Sequence, residues 1–263
     1  MTPFSQILQS LHGSDGSFTL QVSEDWGQGR ATFGGLVAAA GNEALRRGVP
    51  ADRPLRSLQT TFVGPATAGT WQLRTRVLRV GRAVTLAHCD VIVGGQVAAV
   101  IVGVYGADRE SVVTARLEPL TAPRRVDELT DMRFDPVTLP AFVQHFALRW
   151  AEGARPFSAT RSRSKAYIRH RDSAPLTESH VIALIDCIPT PALSMFHAPA
   201  PSSSLVWTLE FLEHRYDFPP AAWWRIDTDI DAARDGYVTQ TGILHDPTGR
   251  PVAITRQLVA VFG

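Results

Sequence analysis

The sequence contains few of the residues that mark disulfide-rich or metal-binding proteins. Only two of its 263 residues are cysteine, and Cys89 and Cys187 lie far apart in unrelated apolar segments, which argues against a disulfide framework and a structural zinc site. The eight histidines form no His-x-x-x-His or His-Glu-x-x-His arrangement, so we expect no metal. Because a Gly-x-Ser-x-Gly motif is also missing, a serine hydrolase of the α/β type is unsupported.

An excess of charge of one sign is missing as well. With 26 basic and 25 acidic residues the net charge is +1, so we predict neither a nucleic acid nor a membrane surface as partner. The basic stretch from Arg161 to Arg171 is interpreted as a solvated strand edge, with contact to the phosphates of a nucleotide-bearing substrate as the alternative. Residues Met1 to Gln6 show no secretion signal, and we expect a cytoplasmic protein.

The chain contains one strand pattern twice. Near the end of each half, three segments with strand character are joined by turn sequences, Gly94-Gly95 in the first half and Asp246 to Gly249 in the second. A further strand segment precedes each group, at Ser57 to Thr61 and at Ser204 to Thr208. The pattern predicts two antiparallel sheets. The predicted organisation is an N-terminal repeat over residues 1–112, a linker over 113–141 and a C-terminal repeat over 142–263.

Each predicted sheet follows an apolar helix. The first helix begins after Phe33-Gly34-Gly35 and stops at Gly48, and the second contains Val181 to Ile188. Pro189 has no N–H for the carbonyl of Ile185, so the second helix should kink or end just after Asp186. A long helix wrapped by a curved antiparallel sheet is the hot-dog layout. We therefore predict an α+β double hot-dog, with another α+β topology as the alternative.

Asp186 is the only acidic or basic residue between Val181 and Phe196. Burying a bare carboxylate costs several kcal/mol unless it is paired or hydrogen-bonded. Desolvation raises the pKa of a carboxyl group and hydrogen-bond donors lower it, so the ionisation of Asp186 depends on its neighbours.

Motifs in both halves resemble the acyl-CoA thioesterase II family, whose members are double hot-dog enzymes. The resemblance rests on order and spacing, and its segments are Arg30 to Gly35, Arg56 to Phe62, Gly64-Pro65, Ile185-Asp186, Ser204 to Thr208, and Gln257. In that family a water molecule is held by an Asp on the second-half helix, a Thr or Ser on the next strand and a Gln on the last strand. The matching residues in this sequence are Asp186, Thr208 and Gln257.

The resemblance implies hydrolysis of an acyl-CoA or another acyl thioester, without a cofactor. Asp186 would be the general base for a water molecule that Thr208 and Gln257 also contact. Gly34 and Gly35 would bind the substrate, since free N–H groups at a helix start can stabilise an oxyanion. Matched first-half positions carry Ala39, Thr61 and Val100, which predicts one active site per chain. A homo-oligomer is expected by analogy with other hot-dog sheets.

Other interpretations remain open at this point. The protein could bind acyl thioesters without turnover, or hydrate an enoyl thioester with His180 and Asp186. Asp186 could be a structural acid, Thr208 an ordinary strand residue and Gln257 a surface side chain. The sequence also departs from the family pattern, with Val206-Trp207 where a polar pair is common and Leu258-Val259 where an acid and a glycine are common.

Overall fold

The computed structural model describes residues 1–122, 124–161 and 163–262. Its α-helices are α1 (Phe4–Gln9), α2 (Gly34–Arg46) and α3 (Glu178–Asp186). The strands of the first half are β1 (His12–Ser14), β2 (Ser17–Val22), β3 (Gly27–Gln28), β4 (Ala31–Thr32), β5 (Leu55–Phe62), β6 (Gly69–Val80), β7 (Val84–Val93) and β8 (Gln96–Gly106). Those of the second half are β9 (Phe146–Glu152), β10 (Ser164–His170), β11 (Ser202–Phe211), β12 (Trp224–Arg234), β13 (Tyr237–His245) and β14 (Pro251–Val261).

Twelve strands form one sheet in the order β1-β2-β6-β7-β8-β5-β11-β14-β13-β12-β10-β9. All neighbours are antiparallel. From the central pair β5 and β11, the two halves run outward with matching connections. The structure therefore has the predicted double hot-dog architecture. Strands β3 and β4 form a separate small pair.

The two longer helices pack against each other on the inner face of the sheet. Gly35 on α2 allows the close approach, because a Cβ there would lie 3.1 Å from Ala183 Cα on α3. The start of α2 meets the end of α3 at Gly34 and Asp186, and Asn42 further along α2 bonds Ser179 at the start of α3. The helices are therefore antiparallel, and each end of the pair joins two helix termini.

Helix α3 ends where the sequence predicts. Its last residue is Asp186, and the segment Pro191–Met195 continues as a 3-10 turn. Both features follow from the prolines, since Pro189 removes a helical hydrogen bond and Pro191 suits the first position of a new turn. The acid is thus held at a helix terminus.

The segment between β8 and β9 packs along the second-half sheet. Arg225 Nη2 donates to the Leu120 carbonyl at 2.6 Å, and Tyr167 Oη donates to the Arg124 carbonyl at 2.8 Å. The predicted repeat boundaries stay a prediction. The interpretation of the Arg161–Arg171 stretch as a strand edge was wrong, because β10 pairs with β9 on one side and β12 on the other. In the described part of the chain, no helix has the length and apolar character needed to cross a membrane.

Candidate functional site

Asp186 lies where the end of α3 meets the start of α2. Its Oδ1 accepts a hydrogen bond from Gln257 Nε2 at 2.7 Å, and its carboxylate also accepts one from the Gly35 N–H. Gly34 is equally close, since a Cβ on it would lie 2.9 Å from Asp186 Oδ2. The residue as a whole is partly exposed, whereas its carboxyl group is buried. The structure therefore brings together Asp186, Gln257, Gly34 and Gly35 as the sequence predicts.

The surroundings tune the acid to neutral pH. Burial raises the pKa of Asp186 to about 7, while the hydrogen bonds from Gln257 and Gly35 oppose this rise. The negative end of its own helix dipole also disfavours the ionised form, whereas the facing N-terminus of α2 favours it. A base is most effective when its pKa is near the working pH, so the geometry and the ionisation both suit proton abstraction.

A second amide stands behind Gln257. Gln240 Nε2 donates to Gln257 Oε1 at 2.8 Å, and the two residues face each other across β13 and β14. Both side chains are buried. Sequence reasoning missed Gln240, because a polar residue in an alternating strand usually indicates the wet face. The inward position of Gln240 could have been found only by counting its register against Gln257.

The structure does not bring Thr208 to the acid, so this part of the prediction was wrong. Thr208 pairs with Arg256 on one side and Gln59 on the other. Gln257 instead pairs with the buried Trp207, and side chains alternate along a strand. Thr208 therefore faces the opposite side of the sheet from Gln257.

A β-bulge explains the error. The register of β11 against β14 shifts between Ser204 and Val206, which leaves Leu205 as an extra residue. Ser204 pairs with Val259, two residues beyond Gln257 on the same strand. Ser204 thus lies on the inner face with Gln257, and it is the hydroxyl residue that the sequence alternation concealed.

The predicted first-half counterparts also need correction. Asn42 and Asp186 are each the ninth residue of their helix, α2 and α3, so Asn42 rather than Ala39 matches the acid. In the sheet, Thr60 pairs with both Ile101 and Trp207, and Trp207 pairs with Gln257. Ile101 rather than Val100 therefore matches Gln257. The acid and the glutamine are still confined to the second half, since the first half has Asn42 and Ile101 at these positions.

His180 lies away from Asp186. It belongs to the first turn of α3, where its Nδ1 contacts the Thr177 hydroxyl at 2.8 Å and its ring packs 4.9 Å from the Phe4 ring. Burial lowers the pKa of His180 to about 4, so it is a neutral core residue near pH 7. His180 and Asp186 therefore do not form the Asp–His pair that hydration of an enoyl thioester would need.

Other features of the surface lie outside this cluster. One cleft is lined by Glu213, Arg215, Asp217, Phe218 and Arg250, and a smaller one by residues around Met1 and Asp172. Within residues 1–122, 124–161 and 163–262, no group of three or more metal-ligating side chains is placed to hold an ion. The polar cluster around Asp186, rather than a cleft, identifies the candidate site.

Two family models match the chain. The model described as the acyl-CoA thioesterase C-terminal domain matches residues 120–261, and the one described as the acyl-CoA thioesterase N-terminal domain matches residues 22–106. The chain belongs to the acyl-CoA thioesterase family. Both halves of the family architecture are therefore present, and Asp186 and Gln257 lie within the C-terminal match.

Solved structures agree on the fold. A conserved protein of unknown function with a hot-dog fold from Alicyclobacillus acidocaldarius is 19% identical, with a TM-score of 0.86 over 99% of this chain and 98% of that chain. The acyl-CoA thioesterase II TesB2 from Mycobacterium marinum is 16% identical, with a TM-score of 0.78 over 99% of this chain and 98% of that chain. A search of curated proteins returned no match. At these identities the structural likeness establishes the double hot-dog fold.

Proposed function

We propose that the protein hydrolyses an acyl-CoA, or a related acyl thioester, with a water molecule activated by Asp186. The observation that carries this proposal is the 2.7 Å hydrogen bond from Gln257 to an acid whose pKa burial raises to about 7, in a chain of the acyl-CoA thioesterase family. Neither a metal nor a covalent intermediate is needed for this reaction.

The proposed reaction begins with proton transfer. Asp186 takes a proton from the water molecule while the water oxygen forms a bond to the thioester carbonyl carbon, and the carbonyl oxygen becomes an oxyanion. The carbon–sulfur bond then breaks, and the proton on Asp186 passes to the departing thiolate. The products are a free acid and a thiol. General-base assistance contributes a factor on the order of 10²–10⁴ to such a rate.

The oxyanion would be stabilised at the start of α2. Since the Gly35 N–H already donates to Asp186, the Gly34 N–H is the donor that we assign to the substrate oxygen, aided by the positive end of the helix dipole. A side chain on Gly34 would collide with Asp186 Oδ2. The pair of glycines thus has two duties, one in orienting the base and one in binding the substrate.

Ser204 replaces Thr208 in our assignment of the hydroxyl that holds the water molecule. The support is the strand register, which puts Ser204 on the face that carries Gln257. The Asp–hydroxyl–amide set implied by the sequence is then complete, with Asp186, Ser204 and Gln257 as its members.

The test is thiol release. Purified protein is mixed with a panel of acyl-CoA esters of different chain length and a thiol-reactive dye, and Asp186→Asn is compared with the unchanged protein. We expect release by the unchanged protein and loss of release by the variant, with the same circular dichroism spectrum. If both proteins release thiol at one rate, Asp186 is not the base.

A non-catalytic acyl-binding protein is the second candidate. The Val206-Trp207 sequence before Thr208 and the Leu258-Val259 sequence after Gln257 favour it, because they depart from the family pattern. Such a protein would show a higher melting temperature with acyl-CoA but no thiol release with any ester of the panel. A homo-oligomeric state and a cytoplasmic location stay predictions.

A further inference from the structure

We propose that Gln240 is a positioning residue for the Asp186 site, holding the Gln257 amide so that its NH₂ group faces the carboxylate. The inference rests on the proposed function, since it assigns Gln240 a part in the same hydrolysis. Gln240 does not touch Asp186 itself. Its effect would pass through one hydrogen bond to Gln257.

The three side chains form a row with a defined direction. An ionised carboxylate only accepts hydrogen bonds, so Gln257 must present its NH₂ group to Asp186, at 2.7 Å. Its carbonyl oxygen then points away and needs a donor, which Gln240 Nε2 supplies at 2.8 Å. Without that donor the Gln257 amide could rotate by half a turn and set its oxygen against the carboxylate.

The Gln240 side chain leaves a buried acceptor unpaired, which costs free energy. Gln240 Oε1 is buried, and within the described residues it has no hydrogen-bond partner. At the matched positions of the first half, the facing residues are Cys89 and Ile101, both fully buried. An apolar pair thus fills the same place in the sheet. A buried, unpaired acceptor where a small apolar group would fit is a feature that needs a reason.

The groups around Asp186 are neutral, which makes the effect measurable. Gln257 and the Gly35 N–H are uncharged donors, and burial raises the pKa of the neighbouring Cys187 thiol well above its usual value. No charged neighbour among the described residues contributes to the shift of Asp186. A change in the Gln257 hydrogen bond should therefore appear directly in the titration of the acid, since that bond favours the ionised form.

The experiment follows the Asp186 carboxyl carbon by ¹³C NMR in protein labelled at aspartate, with the resonance assigned by its loss in Asp186→Asn. The unchanged protein is compared with Gln240→Met, Gln257→Met and the double variant. We expect the titration midpoint of Asp186 to rise by about one pH unit in Gln240→Met. In the double variant the rise should be no larger than in Gln257→Met alone, because both changes act through the same hydrogen bond. Where thiol is released, kcat/KM at pH 6 should then fall by about 10-fold in Gln240→Met, with little change at pH 8.5.

Two further variants serve as a control and as a replacement. Thr255→Val removes the acceptor of the Trp207 Nε1 hydrogen bond on the same strand without touching the row of amides, so it should lower the melting temperature and leave the midpoint unchanged. Gln240→Cys introduces the residue of the matched first-half position and is the replacement if Gln240→Met does not fold.

An unchanged Asp186 midpoint in a folded Gln240 variant overturns the proposal, and so does a double variant whose shift is the sum of the single shifts. The titration does not depend on turnover. If no ester is hydrolysed, the proposed function fails, whereas the midpoint still decides whether Gln240 orients Gln257.

Discussion

Each end of the antiparallel helix pair holds one acid, and the two acids differ in their hydrogen-bond partners. At one end Asp186 receives hydrogen bonds from Gln257 and Gly35, both of which are uncharged donors. At the other end Glu178, the first residue of α3, is bound by Arg46 and Asn42 of α2. The ends are related by the repeat, because Asn42 matches Asp186 and Glu178 matches Gly34.

The Glu178 carboxylate is held by an arginine side chain and by a backbone N–H group. Arg46 Nε donates to Glu178 Oε1 at 2.9 Å, and the Leu55 N–H donates to Oε2 at 3.2 Å. Tyr105 Oη donates to Asn42 Oδ1 at 2.8 Å. Glu178 stands at the position of α3 that Gly34 holds in α2. The comparison teaches that matched ends of the two hot-dog repeats can hold an acid in two ways, with uncharged donors at Asp186 and with an ion pair at Glu178.

The largest contrast is expected from the matched pair Asp186 and Asn42. Asp186→Asn should lower kcat by a factor on the order of 10²–10⁴, because the general base is lost. Asn42→Ala should leave kcat unchanged and lower the free energy of unfolding by about 2–3 kcal/mol, since Tyr105 and Glu178 lose a buried partner. Thiol-release kinetics and urea unfolding check the two variants. A large loss of kcat in Asn42→Ala would show that the Glu178 end also contributes to the reaction.

Breaking the ion pair at the Glu178 end should affect stability alone. Glu178→Gln leaves the Arg46 guanidinium, whose side chain is 25% exposed, without its anion. We expect a loss of roughly 2–3 kcal/mol, somewhat less than for a fully buried pair. The exposed Glu128→Gln is the control and should change stability by less than about 0.5 kcal/mol. Equal melting temperatures for the two variants would contradict this prediction.

At the Asp186 end, the bulge in β11 distinguishes two hydroxyl groups. Ser204→Ala should lower kcat/KM by about 10-fold, the effect of one hydrogen bond in the transition state. Thr208→Val should leave it unchanged, since Thr208 pairs with Arg256 on the outer face. The reverse result would restore Thr208 to the site and would show that the register of β11 differs from the one described.

The smallest expected effect is on the pH dependence of stability. Because the pKa of Asp186 is raised to about 7 in the folded protein, the native state keeps a proton that the unfolded chain has already lost. Its contribution to stability is therefore greatest at low pH and declines as the pH rises from about 4 to 7. Asp186→Asn should remove this decline, because the variant side chain does not titrate. Melting temperatures at pH 5 and pH 8 give the difference, and parallel changes in both proteins would contradict it.

Much of the site was predictable from the sequence. The lone acid in an apolar segment, the proline that ends its helix and the glutamine of the last strand are local features, and the structure brings Asp186, Gln257, Gly34 and Gly35 together. Their catalytic roles stay proposals. The errors lay in counting. Ala39 was chosen by applying the offset between two matched strands to the helices, and Val100 by aligning the final glycines of the two halves. The helices and the last strands are related by other offsets, so the matching residues are Asn42 and Ile101.

Gln240 and Ser204 show why counting along the chain was not enough. The alternation of a strand predicts two faces, but a bulge at Leu205 reverses the faces on either side of it. No local signal in β11 shows that bulge. Likewise, Gln240 is indistinguishable in its own strand from an outward-facing residue, and only its pairing with Gln257 places it inside.

The sequence by itself determined the repeat, the positions of the helices and the isolation of Asp186, because turns, prolines and apolar periodicity act over a few residues. The tertiary structure alone decided which hydroxyl shares the inner face of the sheet with Gln257, which amide bonds Gln257 and which end of the helix pair carries an ion pair. These depend on strand register and on contacts such as Arg46 with Glu178, between residues more than a hundred positions apart, and such contacts form only when the two halves pack.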